Sequence, residues 1–72
     1  MKKTFELEDL DCANCALKME EGIAAIPGVQ NVCVNYMTQR LTLEAENAAF
    51  AKILKEAVRV CRRIEPDCTI LL

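Results

Sequence analysis

Two cysteines three positions apart, Cys12 and Cys15, with Asp11 directly before them, are the one group in this sequence whose types and spacing point to chemistry. The run Asp11-Cys12-Ala13-Asn14-Cys15 lies between a stretch with strand alternation and one with helical spacing, so both thiols fall at a helix start. There they can point to the same side. A helix N-terminus brings unpaired backbone N–H groups and a partial positive charge, both of which favour thiolate over thiol. Thiolate is the form that ligates a metal, and soft sulfur ligands suit soft cations.

A lone C-x-x-C also admits a thiol-disulfide redox reading, which calls for a thioredoxin-like βαβ context and a low thiol pKa. The acidic residues Glu6, Glu8, Asp9 and Asp11 oppose that depression. The same negative charge favours a bound cation, so the metal reading gains from what weakens the redox one. The third reading is that two small, buried-tolerant residues happen to fall at this spacing.

The chain has 72 residues, five of them cysteine and none histidine, so no Cys/His zinc finger can form. An odd count leaves one thiol outside any closed disulfide framework, and reduced thiols in a cytosolic setting fit better. Nine basic side chains against eleven acidic ones give a net charge of −2. With Phe5, Tyr36 and Phe50 as the only aromatics, a nucleic-acid surface is not expected. No apolar run approaches the roughly 18 residues of a membrane span, and Lys2-Lys3 leads into an alternating stretch rather than a secretory leader. Neither membrane insertion nor transport by the chain alone is expected, and the location expected is cytoplasmic.

The elements that must position the motif alternate cleanly. Thr4-Phe5-Glu6-Leu7-Glu8 alternates polar and apolar, which predicts a first strand with Phe5 and Leu7 on its buried face. From Cys15 the apolar positions Ala16, Met19, Ile23 and Ile26 follow helical spacing until Pro27-Gly28 stops the run, with Gly22 inside it. Residues 29–36 and Leu41-Thr42-Leu43 alternate again and predict a hairpin with 37–40 as its loop. Asn47 is placed to cap a second helix whose apolar stripe is Phe50, Ile53, Leu54, Ala57, Cys61 and Ile64, and Pro66 ends it. Residues 68–72 predict a last strand. The order β-α-β-β-α-β over a single domain, 1–72, predicts an α+β fold of split βαβ type: a four-stranded antiparallel sheet with two helices on one face.

The motif Leu10-Asp11-Cys12-Ala13-Asn14-Cys15, the Pro27-Gly28-Val29 turn and the element order together resemble the heavy-metal-associated domain family over nearly the whole chain. That family includes metallochaperones, mercury-binding proteins and N-terminal cytosolic domains of metal-pumping P-type ATPases. The resemblance implies a ferredoxin-like sandwich and a metal pair at Cys12 and Cys15. The family's loop has Met where this chain has Leu10, which by analogy is a hydrophobic anchor under the loop, so the exchange costs little in packing. Copper members usually have an uncharged residue before the first cysteine, whereas zinc, cadmium and lead pumps resemble this chain in having Asp. Zinc accepts carboxylate oxygen and takes four ligands, so Asp11 is a plausible third ligand, with a solvated or helix-capping carboxylate as its alternative. The copper pattern also has a Gly-Tyr turn before the last strand, where Glu65-Pro66-Asp67 stands here.

Cys61 on the helical stripe and Cys68 at the last strand are expected to be core residues, and Cys33, between Val32 and Val34, to face outward from the open sheet face. Arg59, Arg62 and Arg63 suit the negative end of the second helix, or else form a docking surface. The expected function is capture of a soft divalent cation, zinc(II), cadmium(II) or lead(II), and its transfer by ligand exchange. The chain is expected not to be an enzyme, to be a monomer, and to serve a transport domain of the same polypeptide or a partner ATPase. The ending at Leu71-Leu72 directly after the last strand suggests a domain taken from a longer pump. The alternatives are a free-standing metallochaperone, including one for copper(I), and a redox module.

Overall fold

A computed structural model describes all residues, 1–72. The elements are β1 (Lys2–Glu8), α1 (Ala13–Ala24), β2 (Val29–Asn35), β3 (Arg40–Ala45), α2 (Phe50–Ile64) and β4 (Thr69–Leu71). They form a four-stranded sheet in the order β2-β3-β1-β4. Every pairing is antiparallel: β1 lies between β3 and β4, with Phe5 opposite Leu41 and Leu7 opposite Ile70. This is the expected α+β split βαβ arrangement, with both helices on one face.

The period-two alternation explains that one-sidedness. Leu7, Val32, Val34, Leu41, Leu43, Ala45 and Ile70 share a buried cluster with Ala16, Met19, Ile23, Phe50, Ile53, Ala57 and Cys61 from the helices. Phe5 is half-buried beside it and meets the Phe50 ring at a centroid separation of 6.5 Å, joining β1 to the start of α2. Cys33 points to the opposite, exposed face, as the alternation requires.

Gly22, which reads as a weakness within α1, has a packing reason. A Cβ there would lie 2.7 Å from Val60 Cγ1, so its absence lets α1 and α2 approach closely. Gly28 has φ +96, and a Cβ would lie 2.9 Å from Ile53 Cδ1; the turn into β2 therefore needs glycine for both conformation and space.

Three local expectations are corrected. Asn47 does not cap α2 with its side chain: the N-cap is Ala49, without any side-chain cap bond, and the Asn47 carbonyl accepts from Phe50 N–H at 3.4 Å. Residues 47–49 are spent on a turn that delivers Phe50 to the core, so the helix begins later than local capping chemistry suggests. Ile26 lies past the end of α1, half-buried after the chain has turned at Ala25. Cys68 precedes β4 rather than opening it, although it is buried as expected.

Candidate metal centre

The end of the sheet where β1 stops carries the Cys12–Cys15 pair. Asp9, just beyond β1, adopts φ 61, a left-handed conformation that Asp tolerates better than most residues, and the chain turns there. Leu10 then drops into the core at 2% exposure, the anchor expected beneath the loop. Burying a side chain of this size contributes on the order of 1.5–3 kcal/mol, enough to fix the approach to Cys12.

Cys12 is the N-cap of α1. Its backbone is extended, at φ −130 and ψ 119, and its Sγ accepts from Cys15 N–H at 3.3 Å. The cysteine thus does what Ser or Asp does at other helix starts, satisfying one of the free N–H groups of the first turn. Both thiols are half-exposed. Because the second cysteine falls three residues after the cap, the two sulfurs share one side of the helix start.

Their protonation is unequal. Hydrogen bonds from the Cys15 thiol and backbone N–H, together with the Asn14 N–H, hold the Cys12 thiol below its ordinary range. Cys15 is pushed up to about 11, chiefly because its proton is held toward Cys12, then by burial and by the negative charge of Cys12 and Glu65. The helix start therefore favours a thiolate at the first cysteine rather than at both.

Glu65 is a neighbour of the thiol pair that sequence reasoning did not single out. The Cys15 thiol points at its Oε2 at 3.8 Å, a long contact across 50 positions of sequence. Glu65 is the C-cap of α2, in extended conformation at φ −138 and ψ 91, as the residue before a proline must be. Pro66 thus stops α2 at the point that brings Glu65 beside α1. The signal was present where Glu65-Pro66-Asp67 stands in place of the copper pattern's Gly-Tyr turn.

The other acidic groups crowd the same end. Burial raises the Cys68 thiol, and the charges of Glu65, Asp9 and Asp11 raise it further. Asp11 is exposed, and its carbonyl accepts from Tyr36 O–H at 3.4 Å. No three Cys, Asp or Glu side chains stand together at metal-ligating separations, so the thiol pair is the assembled part of the site. Cys61 is buried, its thiol pushed up to about 12 by burial and by Cys68. Of the basic group, Arg59 pairs with Glu56 at 3.2 Å on the surface, while Arg62 and Arg63 occupy the last turn of α2. No helix is long and apolar enough to cross a membrane.

A model of the heavy-metal-associated domain matches residues 4–63. The chain is 30% identical over 70 residues to a cadmium, zinc and cobalt-transporting ATPase of Bacillus subtilis, covering 97% of this chain and 10% of that protein. It is 38% identical over 58 residues to a copper-exporting P-type ATPase of the same organism, covering 79% of this chain and 7% of that protein. The chain thus spans about a tenth or less of the length of these relatives. Among solved structures, the N-terminal domain of a potential copper-translocating P-type ATPase from Bacillus subtilis, loaded with Cu(I), superposes with TM-score 0.76 at 25% identity, covering 99% of this chain and 84% of that one.

Proposed function

The chain belongs to the heavy-metal-associated domain family, and on that premise we propose that it captures zinc(II), cadmium(II) or lead(II) and passes the ion on. Domains of this family bind metal and are not catalytic. Cys12 and Cys15 are the soft ligands in this reading, and Asp11 turns its carboxylate in as the third. The observation behind the divalent preference is the negative charge gathered at the thiol pair, with Asp11 next to Cys12 in the chain and Glu65 Oε2 at 3.8 Å from the Cys15 sulfur. With both thiols ionised and a carboxylate alongside, a divalent ion cancels most of the local charge, whereas copper(I) leaves more of it uncompensated.

Transfer follows from an incomplete shell. Zinc takes four ligands, so two thiolates and one carboxylate leave a position open to an acceptor's thiolate or carboxylate. The acceptor's donor atom forms its bond before the Cys12 or Cys15 bond breaks, with no change of oxidation state and no free ion. The acceptor proposed is the transport part of a metal-exporting P-type ATPase, in the same polypeptide or a separate one, with this domain working as a monomer in the cytosol. A copper(I) module, free-standing or pump-borne, is the second reading, favoured by the likeness to copper-exporting relatives.

The experiment is a competition titration of the reduced protein against chelators for zinc, cadmium and copper(I), repeated for Cys12→Ser and for a folded triple variant of Cys33, Cys61 and Cys68. One divalent ion per chain, lost in Cys12→Ser and kept in the triple variant, is expected. Undiminished binding in Cys12→Ser overturns the thiol assignment. A copper(I) preference that Asp11→Ala leaves unchanged moves the assignment to the second reading.

A further inference from the structure

Gln39, in the turn between β2 and β3, has φ 56, a left-handed conformation that disfavours a side chain with a Cβ. Glycine or asparagine would occupy such a position at lower cost. What the glutamine does there is specific. Its Oε1 accepts from Leu10 N–H at 3.0 Å, and its Nε2 donates to the Leu10 carbonyl at 2.7 Å. The second Nε2 hydrogen goes to the Tyr36 carbonyl at 2.9 Å, and the Gln39 carbonyl accepts from Leu7 N–H at 2.7 Å.

The side-chain amide therefore acts as a peptide unit of an extra strand residue. Cα pairing of β1 with β3 ends at Glu6 opposite Arg40, and Asp9 then turns the chain away. Past that turn no neighbouring strand remains to satisfy the peptide groups of Leu10. Gln39 satisfies both of them, and Tyr36 O–H reaches the next carbonyl, that of Asp11, at 3.4 Å. One hairpin turn thus holds the backbone of the segment that leads into Cys12.

We propose that Gln39 is a positioning residue of the metal loop: by clamping the Leu10 peptide groups two residues before Cys12, its amide sets how tightly the thiol pair holds a metal and how fast it releases one. The proposal rests on the reading of Cys12 and Cys15 as ligands. A loop anchored before binding loses less conformational freedom when the metal arrives, which favours affinity and slows release. The anchor touches neither sulfur, so it acts on zinc and copper(I) alike.

Three variants isolate it. Gln39→Gly removes the amide and relieves the backbone; Gln39→Asn keeps an amide and tolerates the left-handed turn, but is one methylene too short; Gln39→Glu keeps the length and the acceptor but loses both donors. The readouts are zinc and copper(I) affinity by chelator competition, the rate of zinc release to excess chelator, apo thermal stability, and amide hydrogen exchange at Leu10. Expected for Gln39→Gly and Gln39→Asn are faster exchange at Leu10, affinity for both metals weaker by roughly tenfold, in keeping with the loss of two part-buried hydrogen bonds, and faster release. Gln39→Glu falls between these and wild type.

Ile53→Val, a core change away from the loop, is the control for stability alone. Wild-type affinity and release in folded Gln39→Asn and Gln39→Gly overturn the proposal, as does an affinity loss no larger than that of an equally destabilised Ile53→Val. If Gln39→Gly does not fold, Gln39→Asn decides. Cys12→Ser in the same assay separates the two levels: impaired binding there with unimpaired Gln39 variants removes only the positioning role, whereas unimpaired binding in Cys12→Ser removes the thiol reading beneath it.

Discussion

Cys15 and Glu65 lie 50 residues apart in sequence and 3.8 Å apart in space, thiol to carboxylate oxygen. The contact joins the first turn of α1 to the C-cap of α2, and Pro66 favours the extended conformation that makes it. It also makes the two cysteines of the motif chemically unequal, since Glu65 adds to the influences that hold the proton on Cys15 while hydrogen bonds stabilise the thiolate of Cys12.

The inequality predicts an order of modification. In metal-free reduced protein at neutral pH, iodoacetamide is expected to label Cys12 before Cys15, because the thiolate is the nucleophile. Glu65→Gln removes a negative charge beside Cys15 and is expected to narrow the difference in rate. Peptide mass spectrometry over a time course checks both; Cys15 labelled before Cys12, or a ratio untouched by Glu65→Gln, contradicts the assignment.

The core is complete without a metal, since the loop's own share of it is the Leu10 side chain. Its members from β1 through β4 and from both helices pack against one another, and none of the packing depends on the exposed side of Cys12 or Cys15. Apo protein in reductant is therefore expected to give a dispersed amide NMR spectrum. Zinc should raise Tm only as far as mass action on the folded state requires. A collapsed spectrum that disperses only with zinc would place the chain among metal-nucleated folds.

Alkaline pH tests the buried thiol. Cys61 rises from 9.0 to about 12 on folding, mainly through burial. Its folded pKa is raised, so its contribution to stability is intact below pH 9.0 and is lost as pH climbs toward 12. Urea midpoints measured from pH 7 to pH 10.5 should fall above pH 9 in wild type. In Cys61→Ala the midpoint is expected to start lower, because a cavity is left, and to fall less steeply. Equal slopes would show that this thiol does not carry the alkaline loss.

What the sequence displayed was whatever a local pattern could encode. Thr4 to Glu8 alternates because one strand face is buried; Phe50, Ile53, Ala57 and Cys61 recur at helical spacing because one helix face is. The Cys12 and Cys15 spacing was legible for the same reason, since a helix start organises both. Asn47 misled because its capping preference is weaker than the demand that Phe50 reach the core. Gln39 could not be read locally at all, and Glu65 showed only as part of the unusual Glu65-Pro66-Asp67 run, without its partner. One reaches Leu10 across 29 positions and the other Cys15 across 50, and such partners are chosen by the fold.

The proposed oxygen donor is Asp11, with Glu65 as the other carboxylate near the thiols, and the metal preference tests both. Asp11 is exposed and adjacent to Cys12 in the chain, free to swing in; Glu65 already faces Cys15. A carboxylate that ligates zinc adds a hard oxygen and a full charge, neither of which helps copper(I) held by two thiolates. If Asp11 is the ligand, Asp11→Ala should weaken zinc and cadmium binding by roughly ten- to a hundredfold, the range for losing a contact to a charged group, and leave copper(I) equal or tighter. Glu65→Ala should then change zinc affinity far less, acting only through the charge it presents to Cys15. Competition titrations of both variants and the double variant, at fixed pH in a reductant that does not bind metal, give the ratio of zinc to copper affinity for each. A ratio that collapses in Glu65→Ala and holds in Asp11→Ala exchanges their roles. A ratio that survives in all three variants shows both carboxylates to be bystanders, and the preference for zinc, cadmium or lead over copper then loses its physical support.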